Sequence, residues 1–111
     1  MVVTLAPESK SEAERHARSA APYEACGVVI QTPTGQMYWP CRNVCEQPEQ
    51  HFVMHPRDYY RASLNGEVLA VVHSHPKGGP ASELDQRACL QSGVPWLIYC
   101  LPEDQWLTIN P

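Results

Sequence analysis

Residues 68–75 read VLAVVHSH and are followed at once by Pro76. A nearly continuous apolar run of that length marks a central strand covered on both faces, so the rest of the chain must supply the covers. Pro76 cannot extend a ladder of backbone hydrogen bonds, and residues 76–81 form a Pro/Gly loop. Candidate helices lie on either side in sequence. Residues 7–21, PESKSEAERHARSAA, favour a helix that opens near Glu8 or Ser9 and is ended by Pro22. Its apolar content is mostly Ala, which predicts light packing. Pro56 suits the first turn of a second helix through Asp58, Tyr59, Tyr60 and Leu64, stopped by Asn65-Gly66. A third helix starts at Ser82 and runs to about Gln91, with Gly93 closing it.

Further strands are expected over residues 25–31 (ACGVVIQ) and 36–41 (QMYWPC), joined as a hairpin by Pro33-Thr34-Gly35. Pro40 places the second of these at its end or at a sheet edge. Residues 42–50 read as a loop and residues 51–54 as a short strand. Two last strands, 96–101 and 105–109, are joined by Pro102-Glu103-Asp104. The order is helix, hairpin, helix, strand, helix, strand, strand. It predicts an α/β (α+β) fold: a single domain over residues 1–111 with a mixed sheet flanked by helices.

Composition narrows the function classes. The chain has 111 residues, 12 acidic and 8 basic, for a formal net charge of −4. The basic residues are scattered, whereas tracking a phosphate backbone needs them clustered, so nucleic acid is not an expected partner. No apolar run approaches the roughly 20 residues that span a bilayer. The N-terminus shows no basic patch followed by an apolar segment, so no secretory leader is expected. The five cysteines form an odd set without the secretory context of a disulfide framework. Cys41 and Cys45 have no second Cys or His pair nearby, which disfavours a cysteine-based zinc site.

The chemistry concentrates in residues 71–85, VVHSHPKGGPASELD. Side chains alternate along a strand, so His73 and His75 share a face, about 6.5 Å apart along the backbone, while Ser74 points the other way. Pro76 puts the pair at the C-terminal edge of its strand, where α/β sheets usually build sites. Ser82-Glu83-Leu84-Asp85 at the next helix start reads on its own as a capping box. In combination with the histidines, the six residues from Pro76 to Ala81 return the chain so that Asp85 reaches the same point. Two histidines and one carboxylate with an open fourth position are a catalytic zinc arrangement. Such a site needs a carboxylate that accepts and then delivers a proton. Glu24, in Tyr23-Glu24-Ala25-Cys26-Gly27, is the candidate, with Gly27 permitting close backbone approach. His51 and His55 are four apart but lack an intervening Glu, and Pro56 disfavours helix at His55. His16 is expected at the surface, and Tyr38, Trp39, Trp96 and Trp106 in the core.

Glu24-x-Cys26-Gly27, His73-Ser-His75-Pro and Ser82-x-x-Asp85 together resemble the signature of the JAMM (MPN-plus) metallopeptidase family, in the family's order. The segments CGVV, PCRN, FVMHPRDY, VVHSHP, ASELD and WLTINP are similar to the N-terminal domains of lambda-type phage tail assembly proteins, from about Ala13 onward. That resemblance implies zinc held by His73, His75 and Asp85. It implies Glu24 as general base and acid, and Ser82 as a hydrogen-bond donor to the oxyanion. The loop between His75 and Ser82 is shorter than the family's usual spacing, and Gly78-Gly79 makes the tighter path sterically possible.

The expected activity is zinc-dependent hydrolysis of peptide or isopeptide bonds by a metal-activated water, in phage tail assembly. The expected partners are a protein or peptide substrate and phage tail components, and the expected compartment is the host bacterial cytoplasm. Two alternatives stand beside it. One is a non-catalytic docking module for tail assembly with a structural zinc. The other is an isopeptidase for ubiquitin-like or sulfur-carrier proteins. Resembling proteins often continue into a second, NlpC-type cysteine peptidase domain.

Overall fold

The computed structural model describes residues 2–111. Three helices, α1 (Pro7–Ala20), α2 (Pro56–Asn65) and α3 (Glu83–Ser92), surround one sheet of five strands. These are β1 (Cys26–Thr32), β2 (Gly35–Cys41), β3 (Glu67–His75), β4 (Trp96–Cys100) and β5 (Gln105–Ile109), in the order β2-β1-β3-β4-β5. The apolar run therefore occupies the middle of the sheet. β3 is antiparallel to β1 and parallel to β4, so the sheet is mixed. A parallel pair cannot be joined by a tight turn. The crossover from β3 to β4 is α3, and this leaves the end of β3 and the start of α3 on the same side of the molecule.

Alternation divides the core into two faces. Val29, Ala70, Val72 and Leu97 pack on one side with Ala13 of α1, and Val28, Ile30, Val71 and Trp96 pack on the other with Ala62 of α2 and Cys89 of α3. Light packing of α1 is corrected by the structure. Ala13 and Ala17 are almost fully buried, because their small side chains let the helix backbone approach the sheet. Trp106 Nε1 also donates to Glu14 Oε2 at 2.8 Å. His16, expected at the surface, is half-buried, with Nδ1 2.6 Å from the Tyr38 hydroxyl. Tyr38 and Trp96 are core residues, while Trp39 and Trp106 pack against the core and remain half-buried.

β2 is an edge strand, which accommodates Pro40 opposite Gly27. Gly27 is required by that closeness: a Cβ there would lie 2.6 Å from both the Trp39 carbonyl oxygen and the Tyr38 hydroxyl. The strand expected over residues 51–54 is reduced to a single bridge between Met54 and Asn43. The Asn43 carboxamide reinforces that bridge and its backbone bonds, Val44 N to the Val53 carbonyl and His55 N to the Arg42 carbonyl. It accepts from Cys45 N and Val53 N and donates to the carbonyls of Glu24 and His51, at 3.0–3.1 Å. No helix among the described residues is long and apolar enough to cross a membrane.

A candidate metal centre and the cleft around it

The last residues of β3 carry the pair His73 and His75 on the face shared by α2 and α3, following Val71. Ser74 points to the opposite face, where its Oγ accepts from Ala25 N at 2.8 Å. His73 is 1% exposed and His75 9%. The loop between Pro76 and Ala81 turns back tightly through Gly78 (φ 79°) and Gly79 (φ 94°), a conformation that disfavours any side chain. At Gly78 a Cβ would also lie 2.1 Å from a Glu103 carboxylate oxygen.

That turn delivers Ser82 to the N-cap of α3. Ser82 Oγ accepts from Asp85 N at 2.9 Å, and Asp85 Oδ2 accepts from Ser82 N at 3.0 Å. The capping box thus aims the Asp85 carboxylate at the histidines. Its Oδ1 lies 3.4 Å from His73 Nε2 and its Oδ2 lies 3.2 Å from His75 Nε2. One donor atom from each of the three residues falls within 4.8 Å of the others, which is a group that can hold a metal ion.

The electrostatics suit a cation. Burial alone would raise the Asp85 pKa, but the His73 and His75 imidazoles that face the carboxylate overcome it and hold the carboxyl well below its usual range. The bond to Asp85 raises His75, whereas burial lowers His73 and favours its neutral imidazole. Neither ring nitrogen of His73 has a well-aligned hydrogen-bond partner, although both are buried. Leaving such a group unsatisfied costs about 1–3 kcal/mol. A lone pair on Nε2 that faces a carboxylate and a second imidazole would be satisfied by a metal bond. Two imidazoles and a carboxylate are the donor set of catalytic zinc sites, so the residues fit a divalent ion.

Glu24 lies two residues before the point where Cys26 pairs with His73, and the Ser74 N to Ala25 carbonyl bond, 3.0 Å, continues that pairing toward it. Its own backbone is fixed on both sides, N donating to the Pro48 carbonyl at 2.7 Å and O accepting from Asn43 Nδ2 at 3.0 Å. The residue is 7% exposed. Burial pushes its carboxyl up to about 8, with His75 acting in the opposite sense and Asp85 reinforcing the rise. Glu24, His75, Ser82 and Asp85 line one cleft of about 230 Å³. All five residues singled out in the sequence are thereby gathered: four face the cleft, and buried His73 contacts Asp85 behind it.

His51 and Lys77 also line the cleft. Local spacing gave no reason to place His51 there, since it arrives through the fold-back held by Asn43. A larger depression of about 980 Å³ adjoins Glu24 on its other side, lined by His16, Tyr23, Arg42 and Asp58 among others, and includes none of His73, His75 and Asp85. Of the two, only the smaller cleft is lined by His75 and Asp85.

Comparison with known proteins agrees with this geometry. Over 97 residues the chain is 43% identical to the tail tip assembly protein K of Escherichia phage N15, covering 86% of this chain and 40% of that protein. Over 48 residues it is 48% identical to the tail tip assembly protein K of Escherichia phage lambda, covering 42% of this chain and 24% of that protein. The chain therefore spans well under half the length of these phage relatives. Among solved structures, it is similar to a protein from Desulfitobacterium hafniense, with a TM-score of 0.77 and 28% identity, covering 96% of this chain and 81% of that one. It is also similar to a JAB1/MPN domain protein from Archaeoglobus fulgidus, with a TM-score of 0.56 and 25% identity, covering 91% and 82%. Residues 8–108 match the family described as prokaryotic homologs of the JAB domain. With that match, the five-stranded mixed sheet and the His-His-Asp group at its edge, the chain belongs to the prokaryotic homologs of the JAB domain.

Proposed function

We propose that this chain is a zinc-dependent hydrolase of peptide or isopeptide bonds that works in phage tail assembly. The observation that carries this proposal is the company kept by the metal-binding group. Glu24 and Ser82 line the same cleft as His75 and Asp85, yet neither is needed to hold an ion. On this view the peptidase domain takes in residues 1–111. A zinc ion held by His73, His75 and Asp85 would supply Lewis acidity and bring the pKa of a water to about 7. Glu24 takes a proton from the attacking water and delivers it to the leaving amine. The Ser82 hydroxyl donates to the carbonyl oxygen of the scissile bond as charge develops there. Exposed Glu49, Gln50 and Lys77 line the cleft, so it opens at the surface, which supports access for a protein substrate. The names of the two protein K relatives support tail components as partners; the host bacterial cytoplasm as the place of action is part of the same proposal.

A docking module with a structural metal is the alternative, favoured by one observation: the capping box already gives Ser82 and Asp85 a full structural role. The first test is elemental analysis of protein purified without chelator. One zinc per chain, lost in Asp85→Asn, is the expected result. Equal zinc content in the two proteins rejects the ligand set. Screening the zinc-loaded protein on tail polypeptides then separates hydrolase from docking module.

A further inference from the structure

A histidine that ligates a metal through one ring nitrogen normally gives its other N–H to a carbonyl or carboxylate, and this bond sets the ring's orientation. His75 follows the rule, with Nδ1 3.3 Å from the Gly79 carbonyl oxygen. His73 does not, because its Nδ1 is buried without a partner. Its ring is instead surrounded by other rings. The Phe52 centroid lies 4.6 Å away with the planes inclined at 31°, so Phe52 covers one face of the imidazole. Trp96 meets His73 edge-on at 5.4 Å and 79°, and His75 lies at 5.1 Å. Phe52 and Trp96 also contact each other, at 5.4 Å.

We propose that Phe52 is a positioning residue for the metal centre, setting the ring orientation of His73 by packing where the neighbouring histidine uses a hydrogen bond. This rests on His73, His75 and Asp85 binding a metal. A histidine's terminal torsion is broad and roughly two-fold, so with no bond at Nδ1 the ring is oriented by the surfaces packed on it together with the Asp85 carboxylate at Nε2. A half-turn about Cβ–Cγ would put the carbon Cε1 where Nε2 now faces Asp85. Phe52 is itself held firmly, since Asn43 Nδ2 donates to the carbonyl of the residue before it and Asn43 Oδ1 accepts from the N–H of the residue after it. The same Asn43 donates to the Glu24 carbonyl. One short segment thus fixes both the metal ligand and the residue proposed to move protons.

The test uses the whole chain and cobalt(II) or zinc, read by titration calorimetry and the cobalt d–d absorption band. Supporting residues of metal ligands typically contribute about 10- to 100-fold in affinity. Phe52→Leu keeps an apolar side chain but loses the flat face, and its affinity should fall by about 10-fold or more with a broadened cobalt band. Phe52→Tyr keeps the ring and should stay within about two-fold of the native protein. Val53→Ala, at a neighbouring exposed position, should leave affinity unchanged. Native affinity in Phe52→Leu overturns the proposal, and so does an equal loss in Val53→Ala, which would reflect loosening of the whole segment. A native chain that binds neither ion overturns the metal centre itself, and the Phe52 role with it. A measurement free of variants is NMR on the native protein. The His73 ring should keep one tautomer and the same contacts to Phe52 before and after zinc is added, and reorientation on binding contradicts the proposal.

Discussion

Ser82 combines two roles that substitution can separate. Its Oγ accepts the Asp85 N–H at 2.9 Å. A serine hydroxyl has two lone pairs and one O–H, so capping the helix uses acceptor capacity and leaves the donor free for a substrate oxygen. Ser82→Ala removes both functions. Loss of the cap costs about 1 kcal/mol, which for a domain of this size lowers the melting temperature by roughly 4 °C. Ser82→Gly also removes the hydroxyl, but glycine is tolerated at an N-cap at a cost of only a few tenths of a kcal/mol. Thermal unfolding is measured in chelator so that metal linkage does not enter. Initial rates are measured on a tail polypeptide with zinc in excess. If the hydroxyl donates to the oxyanion, both variants lose about 100-fold or more in rate, while only the alanine variant loses appreciable stability. A Ser82→Gly enzyme with the native rate refutes donation and leaves Ser82 as a cap alone.

Three further outcomes follow from the same geometry. Zinc at about 100 times its dissociation constant should stabilise the native chain by about 2.7 kcal/mol, and thermal unfolding of Asp85→Asn at that zinc concentration should show little of this gain. Side-chain and backbone hydrogen bonds from Arg42 hold Asp58 down at about 2. A carboxylate with a lowered folded pKa stabilises the fold above its unfolded value near 4. That contribution is lost as pH falls from about 4 toward 2, so urea midpoints of the native chain and Asp58→Asn should converge across this range. Burial pushes the Cys26 and Cys41 thiols up to about 12 and also raises Cys89 and Cys100. A thiol reagent near neutral pH should therefore modify half-buried Cys45 first and reach the other four only on unfolding.

The part of the site carried by β3 and α3 was legible because two strong periodicities wrote it. Alternation put His73 and His75 on one face, and the capping pattern of Ser82 and Asp85 fixed where the next helix begins. Only short loops separate these pieces, and Gly78 and Gly79 take the positive φ angles that the tight return needs. The apolar run marked the central place of β3, while Pro40 left β2 either ending there or lying at an edge, and the structure shows the edge. The segment between β2 and α2 forms a single bridge in place of the expected strand for a physical reason. Its geometry is set by two backbone bonds to residues 42 and 44 and by one carboxamide, Asn43, making four hydrogen bonds to backbone groups. Bonds from a side chain to distant backbone leave no periodic trace. The arrival of His51 at the cleft and of Phe52 on His73 depends on those bonds, so both became visible only in three dimensions.

Glu24→Gln tests the central claim most directly. The substitution keeps the size and hydrogen-bonding capacity of a nine-tenths buried side chain whose backbone is held by Pro48 and Asn43, but the amide cannot accept a proton. Zinc content and cleavage of a tail polypeptide are measured on the same preparation. The account predicts native zinc stoichiometry, a native fold, and a rate lower by about 100- to 10,000-fold. Full activity at full zinc occupancy would contradict it by placing proton transfer elsewhere, and loss of zinc would contradict it by making Glu24 a ligand.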